Sequence, residues 1–437
     1  MPAKFSHAAA GIALALLAGR EAVAQSQDPG VWSLHAQTTM IDQGHGAFHS
    51  PYQGMESLQG TADGSETFSA TVFLDGSPWR GGELVLDPEF TQGNRLSGAA
   101  GAAGFPNGES SRGAGGAPPY NTARLFFRQT IGLGGETEKV DDDENQVACV
   151  EDIDRVVLTV GKFAATDVFD DNAFSHDPRT QFLNQALADS GAWDSPATST
   201  GYTGGFTAEL NRKDWALHYG IFMVPAGANG SVLDTHVSKA WGQVLQWDRR
   251  YMLGGRAGTV RPFVFWNRAD MGSYALAVSD PSAGLQIAAT RATRSKVGAG
   301  ISWDQQLTAD LGAFARVSWD DGRTETWAFT EIDSSAALGL SLQGTAWGRK
   351  DDTVGIAELG DGLSPVHRRY LEAGGYDFSI GDGRLDYGTE DITECYYNWK
   401  PVSWLEIAAD YQFLLNPAYN RARGPVNIFG ARVHCSY

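Results

Sequence analysis

The twelve residues VNIFGARVHCSY (426–437) decide the fold. With a strand's two-residue period, Phe429, Ala431, Val433, Cys435 and Tyr437 share one face, and Gly430, Arg432, His434 and Ser436 share the other. Ile428 breaks the rule. The segment before it, SWLEIAADYQFLL (403–415), repeats the pattern: Leu405, Ile407, Ala409, Tyr411 and Phe413 alternate with Glu406, Ala408, Asp410 and Gln412. So do DLGAFARVSWDD (310–321) and NTARLFFRQTI (121–131), the latter setting Ala123, Leu125, Phe127 and Ile131 against Arg124, Phe126 and Arg128. Faces of ~9–11 residues match a tilted strand crossing hydrocarbon. An alternating strand that ends on an aromatic residue is what closing a last strand onto a first would need.

The N-terminus agrees. Lys4, an apolar run from Ala8 to Gly19 and AVA (22–24) describe a secretory signal peptide, residues 1–24, cleaved after Ala24. Removing 24 of 437 residues leaves 413 for the exported part, residues 25–437. At roughly 24–27 residues per strand and connection this gives 15–17 strands, and the evenness of bacterial barrels selects 16. The expected fold is therefore all-β, a transmembrane antiparallel β-barrel with inward-folded loops and short helices. Mean hydropathy is only −0.27 because alternation dilutes every window. The net charge of −19 excludes nucleic acid as a partner.

Asp75-Gly76, Asp321-Gly322, Asp361-Gly362 and Asp382-Gly383 read as hairpin turns. Abundant Trp, Tyr and Phe near strand ends suit aromatic girdles. Cys395 and Cys435 fall on strands separated by one other, roughly 9.5 Å apart and beyond the ~7 Å reach of a disulfide. Cys149 lies beside the acidic DDDEN (141–145), and no disulfide is expected.

One stretch looks like an active site. FDDNAFSHDPRTQFLN (169–184) gathers Asp170, Asp171, His176, Asp177 and Arg179. Paired carboxylates would suit a glycosidase, but nothing marks one of them as dry enough to act as an acid. Metal binding by His176 with Asp177 or Asp171, or calcium at the acidic loops, is the weaker reading. No HExxH, CxxC pair, P-loop or GxSxG occurs, so no enzyme activity, cofactor or metal is expected. Asp177 before Pro178 suits a cap for a short helix over 179–189, and Arg179 is placed to pair with a carboxylate such as Asp170. The inward faces add Glu83, Arg124, Phe126, Arg128 and Glu209 as pore-lining candidates. For Glu394, Glu406 and Asp410 a merely wetted wall is the simpler reading, and His218 faces inward without a nameable partner.

Longer blocks carry a resemblance. WSLHAQTTMIDQGHGAFHSPYQGMESL (32–58), GGELVLDPEFTQG (81–93), ARLFFRQT (123–130), VGKFAATDVFDDN (160–172) with SHDPRTQFLN (175–184), FARVSWDDGRTETWAFTEID (314–333) and GDGRLDYGTEDITECYYNWKP (381–401) resemble the carbohydrate-selective porins of the OprB family, in order and along the mature chain. The resemblance implies a 16-stranded outer-membrane barrel of a Gram-negative bacterium. It would pass monosaccharides and small oligosaccharides passively into the periplasm, through a channel narrowed by charged inward loops. Outer-membrane lipid and lipopolysaccharide would surround it, as a monomer or homotrimer. Gly204 and Gln185 stand where the family often has tryptophan, and an aromatic lost near the constriction would weaken stacking on a sugar. A general diffusion porin of weak selectivity, or an exported soluble β-protein that binds or cleaves glycans, are the alternatives.

Overall fold

A computed structural model describes residues 31–110 and 119–437; the expected signal peptide, residues 1–24, lies outside the described residues. Strands β1 (Trp32–His45), β2 (Asp63–Trp79), β3 (Gly82–Gly93), β4 (Tyr120–Gly132), β5 (Thr137–Val140), β6 (Cys149–Asp152), β7 (Arg155–Phe163), β8 (Thr203–Arg212) and β9 (Trp215–Phe222) make up the first half. Strands β10 (Trp241–Leu253), β11 (Arg256–Met271), β12 (Ala292–Gln306), β13 (Leu311–Asp320), β14 (Ser334–Gly344), β15 (Arg349–Gly362), β16 (Glu390–Val402), β17 (Leu405–Leu415) and β18 (Val426–Ser436) make up the second. All but β5 and β6 pair with their neighbours into one closed antiparallel barrel of 16 strands, as the alternation predicts. β18 closes it against β1, from Gln37 opposite Ser436 to His45 opposite Ile428. Tyr437 extends the seam, exchanging backbone hydrogen bonds of 2.8 and 2.9 Å with Ala36. Closure leaves no unpaired edge, which a bilayer would penalise.

Leu125, Val317 and Phe429 are each more than half exposed on the outside, where lipid rather than water would cover them. Aromatic pairs sit near the strand ends, among them Trp79–Phe127, Trp241–Trp266 and Tyr411–Phe429. No helix among the described residues is long and apolar enough to span a membrane; the strands do so. Connections at one end are mostly two to four residues, as at 80–81, 213–214 and 254–255; those at the other are long. By the usual arrangement the short-turn end is periplasmic.

Several local expectations fail for identifiable reasons. Asp75-Gly76 lies inside β2, Asp361-Gly362 ends β15, and Asp321-Gly322 and Asp382-Gly383 lie in long connections, so none is a two-residue hairpin turn. A register shift on β3 between Asp87 and Pro88 skips Ala123 of β4 and turns it inward, where it packs with Ala164 and Tyr202. The helix expected over 179–189 is a single turn, Gln185–Ala188, capped by Asn184. Asp177 instead closes a turn whose carbonyl accepts from the Thr180 and Gln181 N–H groups. Ile428 faces inward after all and is fully buried, because the outer half of the lumen is not wet. Loops folded in from the long-connection end fill it with a core that includes Phe182, Leu187, Phe314, Ile392 and Tyr396. The three cysteines are unpaired.

Candidate functional site

Residues 164–202, between β7 and β8, run across the inside of the barrel. Their sequence asks for this: Phe169, Phe182, Leu183, Leu187 and Trp193 are too apolar for a solvated loop, and all are buried. The wall then supplies the polar partners that buried backbone requires. Arg316 of β13 donates to the Asp170 carboxylate at 3.3 Å and to the carbonyls of Asp170, Ser175 and Leu187 at 3.1, 2.6 and 2.7 Å. Glu394 of β16 accepts from the Leu183 and Asn184 N–H groups at 2.5 and 3.0 Å. Arg432 of β18 donates to the carbonyls of Pro178 and Gln181, both at 2.7 Å. The loop is therefore fixed along the arc of wall from β13 to β18. Glu394 is an anchor, not a wetted wall residue.

A ladder of opposed charges climbs the facing wall, where odd-numbered residues of β3 point inward. At its foot Arg128 binds Glu83 at 2.6 Å. Next, Arg124 grips Asp167 of the loop with two bonds of 2.6 and 2.7 Å and reaches Asp87 at 3.2 Å. At the top Arg179 of the loop lies 3.3 Å from both Glu89 and Glu109. Tyr202 also donates to Glu89, at 3.0 Å. Arg179 thus does not pair with Asp170; the chain between them turns, with Asp170 in the left-handed region at φ 60°, and the two find different walls. Mixed charges at a narrow place orient hydroxyl dipoles while favouring neither sign of ion.

The remaining sequence candidates separate. Phe126 shares the inward face with Arg124 and Arg128, but it is buried against Phe163, in an aromatic cluster with Phe169, Trp193 and Phe222. Asp170 is wholly buried, its carboxylate also accepting from Ser190 N–H at 2.5 Å. Asp171 stays exposed, 3.6 Å from Arg261, and half-buried His176 lies 4.0 Å from Asp189. Glu209 faces His218 at 3.2 Å, and His218 has a second partner, Asp248, at 3.2 Å. Gly204 has the outward parity of exposed Phe206, so a tryptophan there would meet lipid and not a sugar. Gln185 is buried within the loop. Sequence reasoning missed Asp87, Glu89, Asp167, Arg316 and Arg432 as partners, although parity already turned Arg316 and Arg432 inward. Below the loop, a chamber of about 330 Å³ is lined by Asp177, Arg179, Glu406 and His434, among others. No group of metal-ligating side chains is found among the described residues.

A separate cluster joins the outer loops. His367 lies buried between Asp333 at 3.0 Å and Asp377 at 2.6 Å, with Tyr274 stacked on its ring at 4.0 Å. Burial alone would push the imidazole pKa down; the two carboxylates outweigh it and raise it to about 10.

Comparison with known proteins agrees with this architecture. A family model described as carbohydrate-selective porin, OprB family, matches residues 77–437. The high-pH structure of Pseudomonas putida OprB superposes with a TM-score of 0.68 at 16% identity, covering 93% of this chain and 94% of that one. The outer-membrane channel DcaP of Acinetobacter baumannii gives 0.51 at 8% identity, covering 93% and 97%. A sequence search of curated proteins returns no match.

Proposed function

We infer that the chain, which belongs to the OprB family of carbohydrate-selective porins, works as an outer-membrane carbohydrate channel. From this premise we propose that its solutes are monosaccharides and small oligosaccharides, selected where the loop 164–202 meets the Glu83–Glu89 wall. The observation that carries the proposal is the ladder, in which Arg128, Arg124 and Arg179 alternate with Glu83, Asp87, Asp167, Glu89 and Glu109.

Such groups, already paired, offer donors and acceptors side by side. A sugar hydroxyl is donor and acceptor at once and can bridge a pair without separating it. An inorganic ion must give up hydration and meets an equal and opposite charge beside every attractive one. Passage is then passive, down the solute's gradient, and needs no chemical step from Asp170 or Asp171. The signal peptide would be removed after Ala24, and the apolar band would be surrounded by lipid and lipopolysaccharide, with the barrel as a monomer or homotrimer.

Liposome swelling tests this reading. Glucose and maltose should enter faster than amino acids of equal size. Equal rates for all solutes of one size would leave a general diffusion porin and defeat the proposal.

A further inference from the structure

One connection at the periplasmic end does not fit the rest. Where its neighbours use two to four residues, β4 and β7 are joined by residues 133–154, which fold into the β5–β6 hairpin with Thr137 opposite Asp152 and Val140 opposite Cys149. A hairpin unconnected to the barrel sheet would ordinarily hang in water. This one turns into the lumen, and its tip, DDDENQV (141–147), is bound to the wall.

The bonds fix how deep it goes. Asn145 carbonyl accepts from Arg128 at 2.5 Å, and Val147 N–H donates to Glu83 at 3.3 Å. With its amide turned nitrogen-first, Asn145 donates to both oxygens of Asp87, at 2.9 and 3.1 Å. Asp87 is the sixth of the twelve residues of β3, so the tip reaches mid-strand. Asp142 extends sideways to His35 on β1, at 3.3 Å. Asp143 and Glu144 then line the same chamber as Asp177 and Arg179 of the inward loop. Two elements from opposite ends of the barrel thus face each other across one space of about 330 Å³. Val147 is fully buried, which anchors the tip apolarly as well.

We infer that the 133–154 hairpin is a second constriction, in series with the loop 164–202, and that it sets the size limit and the ion preference at the periplasmic exit. A solute that clears the charge ladder must still pass the tip. The tip presents Asp143 and Glu144 with no cationic side chain bonded to either among the described residues; burial raises the Glu144 carboxyl to about 7 against the pull of Arg179 and Arg124, so Asp143 carries the larger share of the charge. It therefore narrows the exit and makes it favour cations over anions. The inference deepens the carbohydrate reading: neutral sugars pass, and anionic sugar acids are held back.

The test replaces residues 133–154 by a two-residue Asn-Gly turn, like those joining the neighbouring strands. Single-channel conductance in planar bilayers should rise several-fold, and swelling assays should admit longer neutral oligosaccharides. Wild-type conductance and size limit in the folded variant would overturn the inference. A second variant, D143N/E144Q, keeps the hairpin and its wall bonds. In a KCl gradient its reversal potential should move toward the anion side, and an unmoved potential would place the tip outside the ion path. The two proposals fail separately, because loosening the inward loop leaves the hairpin in place. If sugars and amino acids of equal size enter alike while hairpin removal still widens the pore, only the carbohydrate reading falls.

Discussion

Replacing Arg316 by alanine is the most direct way to ask whether the inward loop is the selective element. The guanidinium is 2% exposed and makes four hydrogen bonds, all to residues 170–187 of the loop. Its loss leaves the buried Asp170 carboxylate without its cation and takes the Arg316 donor from the Asp170 and Ser175 carbonyls, while the Leu187 carbonyl keeps the Ser175 hydroxyl at 2.7 Å. Breaking a buried pair from one side costs about 3–5 kcal/mol. The orphaned carbonyls push toward the upper end, at roughly 1–3 kcal/mol each if no water reaches them. Since every 1.4 kcal/mol is tenfold, the balance between docked and undocked loop shifts by roughly two to three and a half powers of ten. The barrel itself should survive, because β13 keeps its ladder bonds to β12 and β14. Glu394 and Arg432 still hold the far part of the loop, so the release is local to residues near 170–175 and 187. The folded variant, verified by its heat-modifiable mobility on gels, is then studied in planar bilayers and by liposome swelling. Conductance should rise and become noisier, and the ratio of sugar to amino-acid entry should fall toward one. Arg316→Lys, which keeps the charge but not the fork, should fall between. A folded Arg316→Ala barrel with wild-type conductance and selectivity would show that this loop does not control passage.

Replacing Arg124 and Arg128 together by alanine should raise ion conductance and reduce sugar preference, because it removes the cations of two rungs of the ladder; unchanged values would place both outside the narrow path. Phe126→Ala should act on stability, costing about 3–5 kcal/mol as a large buried ring, and denaturant unfolding of refolded protein is the measurement; a loss below ~1 kcal/mol would contradict its place in the aromatic cluster. His367 gives a pH dependence whose sign is fixed by its raised pKa of about 10. The protonated ring's contribution is complete below the unfolded value near 6.5, persists through neutral pH, and disappears as pH rises through about 10. Proteinase K cleavage within residues 363–389 should therefore accelerate above pH 9 in the wild type, relative to a reference peptide. In His367→Gln it should already be fast at pH 7, and parallel profiles for the two proteins would remove His367 as the rivet.

The barrel was legible because its two faces meet solvents of opposite polarity. Leu125, Val317 and Phe429 must satisfy lipid while Arg124, Arg316 and Arg432 avoid it, so period 2 is written into the chain at almost every strand. The turn signals misled because Asp-Gly also serves long connections, as at Asp321-Gly322 and Asp382-Gly383, and strand interiors, as at Asp75-Gly76. In β2 the chain runs three residues past Gly76 before turning at Arg80-Gly81, where Gly81 takes φ 73° and a Cβ would collide with the Thr130 carbonyl. The site was only half legible. Its residues were found as inward-facing polar groups, but inward faces are polar whether they touch water, solute or a docked loop. Partnership was the hidden part, since Asp170 and Arg316 are 146 residues apart and Arg179 and Glu89 are 90 apart.

A signal for that hidden part was nevertheless present in the loop's own composition. Between Phe169 and Trp193 the chain carries Phe174, Phe182, Leu183, Leu187 and several alanines, with only a one-turn helix to satisfy its backbone. Such a segment cannot stay in water without exposing its apolar side chains, and cannot be buried without finding donors and acceptors for its free amides and carbonyls. In a barrel the only dry place for it is the lumen, and the only partners there are inward-facing wall residues. The abundance of inward arginine and glutamate is thus explained twice over. Arg316, Glu394 and Arg432 bind backbone because the loop needs them, whereas Arg124 binds the Asp87 and Asp167 carboxylates and Arg128 divides itself between Glu83 and the Asn145 carbonyl of the hairpin tip. Charges spent mostly on main chain hold a loop, those spent on side-chain carboxylates make up the ladder, and Arg128 does both. Asp170, wholly buried between Arg316 and the Ser190 N–H, belongs to the scaffold, whereas Asp167, which also accepts from the Ala164 N–H, ties the start of the loop to Arg124 of the ladder.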